Sequence, residues 1–273
     1  MQKGKPFIRY SIVAIVIVAG FIVFGTQKEN SPAYSPRDYA EIVQSGVLRA
    51  VTEYNAISYH INRDTLQGFD YELLNAFASD KHLKLEITPE MSFEKRLAGV
   101  TKGKYDLLAT GTVITSQSKD TLLFTRPLTL SKQVLVQRKP ENEQDSTYIR
   151  SQLDLAHKQL HVIKGSPALL RLHNLISEIA DTIYIQEVEQ YGPEQLLAMV
   201  AGKDIDYAVC DESIARSLQE RFPNLDINTA ISFTQFYAWG VNKHSPALLD
   251  TLNHWLERYS QTASYKKLYN KYF

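Results

Sequence analysis

Cysteine is nearly absent: the 273 residues contain one, Cys210. A lone thiol forms no internal disulfide, and no cysteine or histidine spacing here matches a zinc or redox motif. Cys210 ends the apolar run Tyr207-Ala-Val-Cys and reads as a buried, inert thiol. An excess of charge is lacking too. Lys plus Arg and Asp plus Glu number 30 each, so bulk electrostatics do not argue for nucleic acid as a partner. Catalytic triad signatures and phosphate loops are missing as well. No metal or other cofactor is expected.

One apolar stretch opens the chain. Lys3, Lys5 and Arg9 precede Tyr10 to Phe24, and polar residues follow from Thr26 to Asn30, the charge order of an export segment. At 1.5 Å per residue the stretch spans roughly 22 Å, short of a ~30 Å hydrocarbon core, but Phe7, Ile8, Gly25 and a snorkelling Arg9 lengthen it. An A-x-A cleavage site is missing, although Val23-Phe24-Gly25 offers a weak substitute. The favoured reading is an uncleaved anchor over 7–26 with a linker over 27–39, and cleavage is the alternative. The positive flank places the N-terminus in the cytoplasm. The expected location is therefore the cytoplasmic membrane, through a single-pass anchor with the body in the periplasm.

Periodicity organises the rest. Val47, Leu48, Ala50 and Val51 have the length of a buried parallel strand, with polar Glu53, Tyr54, Asn55 and Ser58 after them. Phe69, Leu73, Leu74, Phe77 and Ala78 recur at helical spacing, and Leu83, Leu85 and Ile87 alternate as a strand does. Strand, helix, strand with short joints is a βαβ unit. In such sheets ligands collect beyond the carboxyl ends of strands, which directs attention to the loops after Val51 and Ala109. A second α/β pattern follows the polar stretch from Arg138 to Ser146: a strand to Ile163, a helix from Ala168, a strand at 183–185, a helix from Pro193, and a strand to Cys210. The expected architecture is α/β with two lobes, 40–137 plus 238–273 and 138–237, hinged by two strands.

The runs GFDYELLNAFA, YDLLATGTVITSQSKDTLLFTRPL, VIKGSPALL, LLAMVAGKDIDYAVCDESIA and FYAWGVNKHSPALLDTLNHW, in this order, resemble the bacterial extracellular solute-binding proteins that bind polar amino acids. That family has the two-lobed type II periplasmic-binding-protein fold. The segments ISYHINRDTLQGFDYELLNAFA and GKDIDYAVCDESIARSLQERFPNLDI further resemble the sensor domain of the membrane-bound lytic murein transglycosylase F family. The resemblance implies that Asp211 pairs with a ligand ammonium and that Thr110, Gly111, Thr112 and Thr115 offer backbone and hydroxyl groups. It also implies that Gly165 and Ser166 receive an anion at a helix start, and that Tyr54 and Tyr59 wall the ligand. Each has a plain alternative: helix caps for Asp211 and Ser166, a ligand-free turn at 110–112, simple packing for the tyrosines. Where the family carries a carboxylate-binding arginine, this chain has Ser118, so the cleft is expected to lack a guanidinium fork unless Lys119, Arg126 or Lys164 replaces it.

Three functions compete on these grounds. The first is a membrane-tethered receptor for a small polar amine-bearing solute (an amino acid, peptide or cell-wall fragment), serving an ABC transporter permease. The second is a sensor that regulates a separate murein hydrolase. The third is a dehydratase-like enzyme, for which Glu212 is the obvious acid; a non-enzymatic role is favoured.

Overall fold

The computed structural model describes residues 34–189 and 191–273, and Ser35–Phe273 form one compact unit. The expected anchor over 7–26 lies outside the described residues. Among the described residues, no helix is long and apolar enough to cross a membrane.

Helix α1 (Tyr39–Ser45) starts at Asp38, whose carboxylate accepts from the Tyr39 amide at 2.8 Å, and stops at Gly46. Strand β1 (Val47–Thr52) leads to a small hairpin of β2 (His60–Asn62) and β3 (Thr65–Gln67). Then come α2 (Phe69–Asp80), β4 (Lys84–Pro89), α3 (Phe93–Thr101), β5 (Leu107–Val113), α4 (Ser116–Thr121), β6 (Leu122–Phe124) and β7 (Thr129–Ser131). The chain next runs through β8 (Gln133–Arg138), β9 (Gln159–Ile163), α5 (Pro167–Ile179), β10 (Tyr184–Val188), α6 (Pro193–Ala201), β11 (Ala208–Asp211), α7 (Glu212–Ser217) and β12 (Leu225–Asp226). It closes with β13 (Gln235–Asn242), α8 (Pro246–Tyr259) and α9 (Ala263–Tyr272).

These strands form two sheets on one plan. The first has the order β4-β1-β5-β13-β6 with β7 also on β13; β4, β1 and β5 are parallel and β13 runs against β5. The second has the order β10-β9-β11-β8-β12; β10, β9 and β11 are parallel and β8 runs against β11. Each sheet thus has three parallel strands from βαβ crossovers and one antiparallel strand that belongs to a crossing between the lobes. Strand β8 lies in the second sheet, so the first crossing is at Lys132, before the expected boundary at 137. The return is at Phe233 and Thr234, because β13 from Gln235 is already in the first sheet. The run Val134 to Val136 is equally apolar whichever sheet receives it, and only its pairing with Ala208–Cys210 decides the matter.

Side-chain alternation fills both faces of each sheet. Leu48, Ala50, Leu107 and Ala109 join the core under α2, α8 and α9, whereas Val51 and Leu108 pack on the opposite face with Val100 and Tyr105. In the second sheet Leu135, Leu160, Val162 and Val209 face α5, and Val134, Val136, Ala208 and Cys210 face α6 and α7. Cys210 is buried among these side chains, which pushes its thiol well above the usual range, as an inert core cysteine requires.

The floor of the first lobe is fastened by a buried carboxylate. Asp106 accepts from Arg37 Nε at 3.0 Å and Nη2 at 2.6 Å, and from the Arg49 amide and Nη2 at 2.8 Å each. Its side chain is 1% exposed, while the two arginines are 18% and 23% exposed. Removing the shared partner strands two half-buried cations, so Asp106→Ala is expected to lower the unfolding free energy by about 2–3 kcal/mol. Urea denaturation of the variant and the parent measures this directly, and an unchanged midpoint would refute the role given to Asp106.

Candidate functional site

A cavity of ≈ 120 Å³ lies between the two sheets, with walls from both. That space holds several waters or one small solute. From the first lobe come Glu53, Asn55 and Ser58 after β1, Phe69 and Asp70 at the start of α2, Phe93 and Arg96 on α3, and Thr110 to Thr112 on β5. The second lobe contributes Lys164, Ser166 and Pro167 at the start of α5, Pro193 of α6, and Cys210, Asp211 and Ser213 around the end of β11. The site therefore sits beyond the carboxyl ends of parallel strands, as the βαβ pattern requires.

Local chemistry explains how the first wall is held. Asn55 Oδ1 accepts from the amides of Ile57 at 3.0 Å and Ser58 at 2.7 Å, an Asx-type turn that folds the loop back on itself. Ser58 Oγ and Thr110 Oγ1 are 3.1 Å apart, and Thr52 Oγ1 donates to the Ala109 carbonyl at 2.6 Å. Gly68 enters α2 at φ 133, where a Cβ would stand 2.4 Å from the Ser58 carbonyl oxygen, so only glycine permits this approach. The turn sets Asp70 into the wall, where its Oδ1 accepts from the Trp239 indole Nε1 at 2.6 Å.

Asp211 ends β11 and does two things. Its Oδ1 caps α7 by accepting from the Ser213 amide at 2.8 Å, which realises the plain helix-cap alternative. Its Oδ2 is buried without a hydrogen-bond partner of regular geometry. Burial raises its pKa, opposed by the nearby Ser131 and Tyr237 hydroxyls and by backbone amides. Ser166 occupies the cap position of α5, yet its hydroxyl makes no cap hydrogen bond and is also buried unpartnered. A third unpartnered atom is Arg96 Nε. Cavity-wall residues thus carry three of the buried polar atoms that lack partners among the described residues: an anion's oxygen, a hydroxyl and a cation's N–H. Groups of this kind cost about 1–3 kcal/mol each when left unmade, which a polar ligand offsets.

The expected residues divide accordingly. Thr110, Gly111, Thr112, Ser166 and Asp211 line the cavity; Tyr54, Tyr59, Thr115, Ser118 and Gly165 do not. Tyr54 is 38% exposed, and Tyr59 is buried edge-on between Tyr54 and Tyr71, so both rings serve packing. Thr115 and Ser118 cap α4 reciprocally, Thr115 Oγ1 accepting from the Ser118 amide at 3.0 Å and Ser118 Oγ from the Thr115 amide at 2.8 Å. Gly165, at φ 71, turns the chain beside Phe93. Glu212 lies outside the wall, 2.8 Å from Arg216 and 3.7 Å from Lys132.

Three residues escaped the sequence reading. The cavity does contain a guanidinium, that of Arg96; of the cations expected to replace the missing one, Lys119 is exposed, Arg126 pairs with Glu257 at 3.6 Å, and Lys164, on the cavity wall, pairs with Glu189. Glu53 stands 3.5 Å from Arg96, with its pKa raised by burial against the pull of that cation. Asp70 is raised to about 7 by burial, against the hydrogen bonds from Trp239 and Ser58. Glu53 lies in the loop after β1, and for Arg96 and Asp70 a helical stripe was the available signal. Arg96 follows Phe93 by three and precedes Val100 by four, and Asp70 precedes Leu73 and Leu74 by three and four, so each polar residue lies on a buried face.

A two-lobed α/β unit with a polar cavity between its sheets is the architecture of a solute-binding protein. The chain belongs to the bacterial extracellular solute-binding proteins, family 3, whose profile matches residues 48–273. Among curated proteins it is similar to the membrane-bound lytic murein transglycosylase F of Desulfosudis oleivorans, 29% identical over 236 residues that cover 85% of this chain and 50% of that protein. This chain spans about half the length of the curated relatives it matches. Among solved structures it resembles a mutant of ArgBP from T. maritima, with a TM-score of 0.75 and 22% identity over 86% of this chain and 98% of that one. An ancestral arginine-binding protein bound to arginine gives 0.73 and 25%, covering 84% and 98%.

The raised Asp70 has a thermodynamic consequence. Between its ordinary value of 3.8 and about 7 the folded protein holds a proton that the unfolded chain releases. Its contribution to stability therefore falls as pH rises through that window and levels off above it. Asp70→Asn, which keeps an acceptor for Trp239, is expected to flatten this part of the profile. Urea midpoints from pH 4 to 8 for both proteins check it, and parallel profiles would rule it out.

Proposed function

We propose that the protein is a membrane-tethered, extracytoplasmic receptor whose two lobes, near 40–132 plus 235–273 and 133–234, enclose a small polar solute bearing an amine. The single observation that carries this reading is Asp211: a buried carboxylate on the cavity wall whose Oδ1 is fixed by the α7 cap and whose Oδ2 has no hydrogen bond of regular geometry, with the Ser131 and Tyr237 hydroxyls nearby. A ligand ammonium there makes a charge-assisted hydrogen bond and relieves a desolvated anion. Thr110, Gly111, Thr112 and Ser166 supply the neutral contacts. The wall carries three carboxyl groups, Glu53, Asp70 and Asp211, against two cations, Arg96 and Lys164, a balance that suits a ligand bearing a cation, in keeping with the arginine held by the ancestral neighbour.

A binding role suits the wall better than an enzymatic one. Glu212, on which the dehydratase alternative rested, is tied to Arg216 and Lys132 outside the cavity, and Asp70 is held by the Trp239 indole. Tethering rests on the charge order around 7–26 and on the membrane-bound relatives. Those relatives also favour a sensing role toward a murein hydrolase over delivery to a permease, since the matched half of each is the solute-binding part.

Calorimetry on the detergent-solubilised full chain with a panel of amino acids and short peptides tests the amine site. Asp211→Asn is expected to weaken every amine ligand found by about tenfold or more, the value of one hydrogen bond to a charged group. Equal affinity in the variant would sink the proposal.

A further inference from the structure

Contacts between the lobes set the size of the cavity. The first lobe brings Met91 and Phe93 against two glycines of the second: a Cβ on Gly165 would stand 3.4 Å from the Phe93 Cβ, and one on Gly192 would stand 3.0 Å from the Met91 Cε. A single methyl group on either glycine would fill the gap, so the lobes meet there. The cavity of ≈ 120 Å³ is therefore walled from both sides, with Phe93 itself on the wall. Much of the rest of that wall is apolar. The Phe273 ring stands edge-on to Phe69, 5.1 Å between centroids, and Leu128 and Ile214 pack on the cluster that holds Phe69.

We propose that this cavity selects by size: it takes a compact amine with a short apolar body and excludes arginine, dipeptides and cell-wall peptides. The scale comes from simple volume. A protein cavity of about 150 Å³ holds benzene, so ≈ 120 Å³ accommodates a solute of about six non-hydrogen atoms, and arginine has about twice that number. The inference rests on the amine reading above and deepens it, because it reduces amino acid, peptide or cell-wall fragment to the smallest of the three. The charge balance of the wall suits the cation of an arginine, but the space does not suit its length. Phe93, where the lobes meet, and Phe273, on the apolar wall, are then the residues that set the limit. A cavity whose lobes part to receive longer solutes is the rival account.

The test uses two graded series titrated calorimetrically into the detergent-solubilised full chain. One is the n-alkylamines from ethylamine to heptylamine; the other runs from L-alanine through L-norvaline and L-norleucine to L-arginine, with Ala-Ala as the dipeptide. While the body fits, each added methylene is expected to tighten binding by about fourfold. Past the limit, overpacking should weaken it by about tenfold or more. Phe273→Ala and Phe93→Ala each remove a ring from the wall and should move the break to longer chains. Arginine or Ala-Ala bound as tightly as alanine by the parent protein would overturn the size limit and leave the amine reading intact. A break that stays in place in both variants would overturn the part given to the two rings. If neither variant folds, the parent series decides. Matched n-alkanols that bind as tightly as the amines would defeat the amine reading while the size break stands, and no binding by any probe at millimolar concentration defeats both.

Discussion

One hydrogen bond joins the two chain crossings on which the two-lobed arrangement depends. Gln133 Nε2, at the first residue of β8, donates to Tyr237 Oη on β13 at 2.8 Å, with the two side chains 3% and 5% exposed. Gln133 is the first residue of the chain in the second sheet, and Tyr237 lies in the strand that brings the chain back to the first. The Ser131 and Ser213 hydroxyls, 3.2 Å apart, add a second polar link between the lobes nearby. Burial pushes the Tyr237 phenol up, so it remains a neutral donor, and its neighbour is the Asp211 carboxylate. The crossing and Asp211 are therefore parts of one polar cluster. A change in the charge on Asp211 is felt at the point where two strands connect the lobes, the position at which hinge rotation is absorbed in folds of this type.

Electrostatics give the cavity its character. Glu53, Asp70 and Asp211 are all raised by burial, which means that each is costly to keep ionised where it stands. Only Arg96 among the wall residues is a buried cation, and it reaches Glu53 at a distance too long for a good hydrogen bond. A fold optimised for stability alone would replace such groups with apolar ones. Their presence around one cavity, together with unpartnered atoms on Arg96, Ser166 and Asp211, points to a solute that completes the network. The same logic links binding to stability, since a ligand held only by the folded state raises its unfolding free energy.

How far the sequence was legible follows from where each signal resides. The βαβ units were readable because strand and helix periods are local, and the cavity loops followed from strand direction alone. Asp211, Thr110 to Thr112 and Ser166 were picked out through the resemblance to the solute-binding family, and the structure sets them on the cavity wall around β5, the end of β11 and the start of α5. The crossing at Lys132 was not readable, since the apolar run of β8 suits either sheet and its partner β11 lies more than seventy residues away. Thr115 and Ser118 look like ligand hydroxyls in sequence, but a capping box uses the same residue types at the same spacing. Arg96 was hidden for a different reason. In Phe93-Glu-Lys-Arg it resembles the charged face of a surface helix, and only the packing of α3 against β1 and β5 turns it inward.

The C-terminal helix extends this argument from the cavity to the far edge of the first lobe. Tyr272 Oη accepts from the Gly68 amide at 2.7 Å, and Lys271 pairs with Glu72 at 2.6 Å, so α9 braces the turn that opens α2. The Phe69 ring meets Tyr265, Tyr269, Tyr272 and Phe273 edge-on, with the Phe273 centroid at 5.1 Å, and both Phe69 and Phe273 reach the cavity wall. The close approach depends on glycine at 68, since a side chain there would strike the Ser58 carbonyl. Ser58, Phe69 and Asp70 are consequently positioned by α9 as much as by the sheet. The apolar end of the cavity and the Asp70 carboxyl are held by residues some two hundred positions apart in the chain, which makes α9 a structural component of the site and not a mere cover for the core.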